Sequence, residues 1–142
     1  MKGELVEATG DVPDIEVQIN GSDMPLPLYA DLLEVEVQDD TEAPSACKLS
    51  LVAWDDAKID LSRIDAALFD MGSELEIKLG YTTALATVCK AEVIGVELDL
   101  SNGRYPRLTV RGYDRRHRLR RGSKTRTFTK MKDSAIASQI AD

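Results

Sequence analysis

"AEVIGVELDLSNGRYPRLTVRGY", residues 91–113, decides the fold. Ala91 and Val93 point one way along an extended chain, and then Ile94, Val96, Leu98 and Leu100 continue in the opposite phase. Period-two alternation marks a strand with one buried and one wet face. The change of phase beside Gly95 reads as a β-bulge, one extra residue that bends a long strand expected near residues 86–100. Ser101-Asn102-Gly103 follows. Asn-Gly between two strand patterns is a hairpin signal, because both residues tolerate positive φ. The return strand runs from Tyr105 to Tyr113, with Leu108 and Val110 on one face and Thr109 and Arg111 on the other.

The same period recurs upstream. Ile15, Val17 and Ile19 alternate with Glu16 and Gln18, and Leu33, Val35 and Val37 with Glu34 and Glu36. Leu49, Leu51 and Ala53 alternate with Ser50 and Val52, and Leu75, Ile77 and Leu79 with Glu76 and Lys78. Strands wet on one side belong in antiparallel sheets, since parallel sheets bury both faces. The predicted fold is therefore mainly β and antiparallel, bent and barrel-like, with one or two short helices. Closing the strands on themselves would remove exposed edges.

Helical spacing is rare. Leu61, Ile64 and Leu68 follow Asp60, a capping residue, and Gly72 ends that run. Ile136 and Ile140 lie four apart beside Ala137, after Asp133. That second helix is too short to stand alone in water and needs something to pack on. The expected organisation is a β domain over 1–132, then over 133–142 the start of a helix leading into a following segment. Met24-Pro25-Leu26-Pro27 reads as a rigid extended connection.

At 142 residues the chain is long enough for one domain with a real core. Cys47 and Cys89 sit in apolar strand patterns without CxxC spacing and read as buried reduced thiols. No apolar run reaches the ~18 residues of a membrane span, so stable membrane insertion is not expected. The N-terminus, MKGELVEATG, lacks a signal peptide's apolar core, which points to a cytoplasmic location at synthesis.

The tools of an enzyme are sparse. His117 is the only histidine, so a two-histidine metal site within the chain is ruled out, and a His–Cys dyad is thin. Most carboxylates alternate with strand apolars and read as a solvated face. Asp39-Asp40-Thr41-Glu42 and Asp55-Asp56 match no calcium loop and read as acidic turns. No glycine pattern forms a phosphate-binding motif. No catalytic residue, metal site or cofactor is expected.

Charge is the distinctive feature. Residues 1–103 carry 6 Lys and Arg against 22 Asp and Glu, and residues 104–142 carry 12 against 3. The two parts hold −16 and +9 within a chain of net charge −7. Such a split points to a polyanion partner, or to two surfaces of opposite sign that meet. Arginine makes bidentate pairs with carboxylates and is enriched at interfaces. Arg111, Asp114, Arg115, Arg116, Arg118, Arg120, Arg121, Lys124 and Arg126 are the interface candidates, expected to face acidic groups of a neighbouring copy or another partner. Gly112 and Gly122 would allow turns there, and Tyr113 and Leu119 would pack between the charges. The alternative is nucleic-acid binding through 111–126, with Tyr113 and Phe128 as stacking platforms. The acidic body repels a phosphate backbone, and no nucleic-acid motif is present, so no nucleic-acid partner is expected.

The stretch "LTVRGYDRRHRLRRGSKTRTFTKMKDSAIASQIA", residues 108–141, resembles the phage late control D proteins and their VgrG-like spike-hub relatives in contractile injection systems. "LYADLLEVEVQDD", "CKLSLVAWD" and "FDMGSELEIKLGY" follow that family's order. The resemblance implies a structural, non-enzymatic baseplate hub. It implies a homotrimeric ring that adapts a hexameric inner tube to a trimeric spike. Inner-tube protein, baseplate components and spike tip would be the partners. The implied final location is a phage-tail-like particle or secretion apparatus.

Overall fold

The computed structural model describes residues 13–54, 61, 67–81, 84–100 and 105–141. Seven strands form one antiparallel sheet: β1 (Pro13–Ile19), β2 (Ser22–Asp23), β3 (Leu32–Gln38), β4 (Ala46–Val52), β5 (Glu74–Tyr81), β6 (Ala84–Asp99) and β7 (Arg107–Tyr113). Their order across the sheet is β2-β1-β5-β6-β7-β4-β3. Among the described residues two α-helices accompany the sheet, α1 (Leu26–Ala30) and α2 (Asp133–Ala141).

β6 bends as its alternation requires. Val93 pairs with Gly112 and Gly95 with Arg111, which leaves Ile94 as the extra residue. A second bulge lies nearer the start of β6, where Val88 is extra between the pairs Ile77–Cys89 and Lys78–Thr87. Each bulge sharpens local twist, so the two halves of β6 serve different parts of the sheet. The first half pairs with β5 and the second with β7. The hairpin turn expected at Ser101-Asn102-Gly103 lies outside the described residues. The strands on either side of it pair antiparallel from Asp99–Arg107 onward.

One face of the sheet is apolar in continuous rows. Val17, Ile77 and Cys89 form one row, and Ile19, Leu75 and Ala91 the next. Across the bend, Leu98, Leu108, Leu51 and Leu32 form another. Val17, Leu49, Ile77 and Val110 are fully buried. Cys47 and Cys89 are both free and buried, as their apolar surroundings predict. β3 departs from the predicted phase. Its pairing shifts between Leu32 and Glu34, so Leu33 is the extra residue and stands 53 % exposed while Leu32 packs against the core.

The sheet is bent but not closed into a barrel. The edges are β2 and β3, and among the described residues no pairing joins them. The segment that links them in sequence crosses the gap instead. Residues 24–27, read as an extended connection, lead into α1, with Pro27 in its first turn where a missing N–H costs nothing. Met24 and Leu28 are buried in the core. At one end, the Val17 N–H donates to the Tyr29 hydroxyl (2.6 Å), and that hydroxyl donates to the Val17 carbonyl (3.2 Å). Met24 N–H donates to the same carbonyl at 2.9 Å. At the other end, Val52 N–H donates to the Asp31 carbonyl at 2.8 Å. Val17, next to the two residues of β1 that β2 covers, thus has its backbone groups satisfied by Tyr29 of α1 and by Met24.

Of the helix expected around Leu61, Ile64 and Leu68, residues 55–60 and 62–66 lie outside the described residues. One 3-10 turn is present over Ala67–Phe69, and it places Phe69 in the core. The helix expected from Asp133 is α2, and none of its residues is buried.

Candidate functional site

The basic run folds as a 3-10 helix over Arg115–Arg120, laid against the sheet where β7 ends. Asp114 caps it. The Asp114 carboxylate accepts from Arg116 N–H (2.9 Å), from Arg116 Nε (2.6 Å) and from Ser45 N–H (3.1 Å). Burial works to raise the pKa of Asp114. The Arg116 guanidinium and the two N–H groups outweigh it and hold the carboxyl below the ordinary carboxylate range. Arg116 also donates to Ser45 Oγ at 2.8 Å, and that hydroxyl bonds to Asp39. The helix start is therefore riveted to the loop before β4.

Glu92 lies under the middle of this helix. Its side chain is 9 % exposed although its strand phase points it away from the core. Arg118 grips it with two nitrogens, Nε to Oε2 at 3.0 Å and Nη2 to Oε1. Arg115 Nε stands 3.6 Å from Oε1, and the same arginine pairs with Glu74. His117 Nε2 is 3.9 Å from Oε2. The other ring nitrogen, Nδ1, lies 2.6 Å from the Asp114 carbonyl. A carbonyl only accepts, so Nδ1 carries the hydrogen. His117 is buried and braces the helix from inside. Glu92 is the residue that sequence reasoning missed. Its alternation with Ala91 and Val93 assigns it to a wet face, and no local signal says that a helix from another part of the chain covers that face.

The remaining interface candidates divide sharply. Arg111 makes an exposed pair with Glu97 across the β6–β7 ladder at 3.2 Å. Arg120 donates to the Glu42 carbonyl at 2.8 Å. Arg121, Lys124 and Arg126 are exposed, and none of them meets an acidic group among the described residues. They line a cleft of about 320 Å³ with Leu119, Phe128 and Ile140. Leu119, expected to pack, is 63 % exposed there. Gly122 does turn the chain, with φ +84°. Gly112 does not. It sits inside β7, where a Cβ would come within 2.8 Å of Cys47 Sγ and 3.1 Å of Ala91 Cβ, so its role is close approach of strands.

The acidic stretches behave as turns and ladders. Asp40 accepts from Glu42 and Ala43 N–H groups at 2.7 and 3.1 Å, and these bonds lower its pKa. On the outer face, Lys78 bridges to Glu16 at 2.6 Å and Lys90 to Glu76 at 3.2 Å. Asp55-Asp56 lies outside the described residues. Among the described residues no group of three His, Cys, Asp or Glu side chains is placed to hold a metal ion.

The fold and this site define an open, coiled antiparallel β domain whose basic helix is locked onto a buried glutamate. The chain belongs to the family described as the Alg8 N-terminal domain, whose family model matches residues 9–142. No curated protein matches it. The match corrects the resemblance drawn from residues 108–141, because that family description names neither a late control D protein nor a spike hub. The baseplate-hub role, the ring between tube and spike and the location in a phage-tail-like particle rested on that resemblance and are withdrawn with it. The nucleic-acid alternative is withdrawn too, since most of its phosphate-binding arginines are already held by groups of this chain. Among the described residues no helix is long and apolar enough to cross a membrane, which says nothing of crossing by strands.

Proposed function

We propose that this domain is a non-catalytic binding module that engages protein partners through Arg121, Lys124 and Arg126, which meet no acidic group among the described residues. The observation that carries this reading is the division of the basic run. Five arginines are engaged within the chain, whereas Arg121, Lys124 and Arg126 stand exposed beside apolar side chains. Exposed cations next to exposed apolar groups suit a surface that becomes covered. The groups best suited to acid–base chemistry have other work. His117 is tied to Asp114 and turned toward Glu92, and Glu92 is enclosed by Arg118 and Arg115. A general base needs a free lone pair within reach of the substrate proton, and both side chains here act as braces.

The test is turnover. The purified chain is assayed for glycosyl transfer from a nucleotide-sugar donor and for hydrolysis of peptidoglycan, nucleotide and ester substrates. No turnover above buffer is expected. An activity abolished by His117→Ala or Glu92→Gln in protein that remains folded by circular dichroism overturns the reading.

A further inference from the structure

Arg121, Lys124 and Arg126 line a cleft closed on one side by α2 residue Ile140. α2 spans nine residues, none buried, with Ile136 half-buried and Ile140 49 % exposed. A helix of that length gains little from its own hydrogen bonds and is held by what covers its apolar side. Ile140 of α2 lines the cleft with Leu119 and Phe128, and Arg118, Arg121, Lys124 and Arg126 line it too. The lining therefore combines apolar and cationic side chains. Among the described residues Arg121, Lys124 and Arg126 meet no acidic group there.

That combination selects an occupant. A purely apolar segment would take water from three cations and give them no opposite charge in return. An extended polyanion, whether a nucleic acid or an anionic membrane, would have to lie along a chain whose residues 1–103 carry −16. A short segment that ends within the cleft avoids that repulsion. We propose that the cleft between residues 119–128 and α2 binds a short acidic amphipathic segment of a partner protein. Its carboxylates would meet Arg121, Lys124 and Arg126, and its apolar side chains would lie on Leu119, Phe128 and Ile140. This inference rests on the binding-module reading and names the partner's chemistry.

The test uses the full chain and a fluorescein-labelled helical peptide with leucines along one face and glutamates flanking them. Fluorescence anisotropy measures its binding, and hydrogen exchange follows α2. Binding should slow exchange in α2. Arg121→Ser/Lys124→Ser/Arg126→Ser should weaken it by at least about tenfold, the sum of three modest ion pairs. Phe128→Ser should weaken it with the three cations intact. The same peptide with lysine in place of glutamate should not bind. Several results overturn the proposal. They are no binding of the glutamate peptide, equal binding of the lysine peptide, and unchanged affinity in the triple variant. Equal binding of duplex DNA or phosphatidylserine vesicles, dependent on the same three cations, would make the cleft a general anion surface. Concentration-dependent self-association lost in the triple variant would assign it to a second copy. Each of these outcomes leaves the turnover assay untouched, so failure of this surface and failure of the non-catalytic reading are told apart.

Discussion

Residues 115–120 and residues 121–126 look alike in sequence, yet they live in different physical regimes. In the first stretch, Arg115, Arg116 and Arg118 sit on Glu74, Asp114 and Glu92, and the helix that carries them is pinned at Ser45. In the second, the cations face solvent beside a cleft. Arg115, Arg116 and Arg118 are thus part of the fold, whereas Arg121, Lys124 and Arg126, with Leu119 beside them, are open to others. Density of positive charge does not by itself identify an interface; an arginine that offsets a buried carboxylate is held in place by it and is needed there.

The comparison breaks most visibly at Arg118. Arg118→Glu sets a second carboxylate against buried Glu92, and loss of a buried pair costs about 3 kcal/mol or more. Urea denaturation should show a lower midpoint and an unfolding free energy reduced by about that much. Reversing Arg115, Arg116 or Arg118 should therefore loosen the domain itself, whatever partner these side chains also face. Glu92→Gln keeps the shape and loses the charge. Arg118 is 61 % exposed and can turn to water, so the cost falls to about 2 kcal/mol, the range of a hydrogen bond to a charged group.

The cap comes next. Asp114→Ala removes the acceptor for Arg116 N–H and Ser45 N–H and should cost about 1 kcal/mol, as N-cap losses do. Acid titration sharpens the same point. The folded pKa of Asp114 is lowered, so its contribution is fully present above the unfolded value of about 3.9 and is lost as pH falls through the lower folded value. The stability gap between wild type and Asp114→Asn should be flat near neutrality and close below about pH 4. The smallest effect belongs to the second stretch. Arg121→Ser, Lys124→Ser and Arg126→Ser should each move stability by no more than about 0.5 kcal/mol. A larger change would mean that these side chains also brace the fold.

Much of the architecture was legible because strand phase is a local property. Residues two apart share a face whatever surrounds them. The alternation in 91–113 located the bend at Gly95 and the faces of β6 and β7, and the apolar spacing after Asp133 located α2. Asn20-Gly21, both at positive φ between β1 and β2, obeys the Asn-Gly rule applied at residues 102–103 and was equally readable. So was α1, from proline in a first helical turn. The phase of β3 was not, because in Leu32-Leu33 either leucine could face inward until a bulge chose.

The strand patterns, the faces of β1, β4, β5, β6 and β7, the bulge beside Gly95 and the charge split were all readable along the chain. Tertiary structure alone decided the pairings between distant residues: Arg118 with Glu92, 26 positions away, and Arg116 with Ser45, 71 away. It also decided that α1, and not a closing strand, fills the gap between β2 and β3. The physical reason is range. Alternation and capping are set by neighbours along the chain, whereas the burial of Glu92 depends on which distant segment the coiled sheet brings across it.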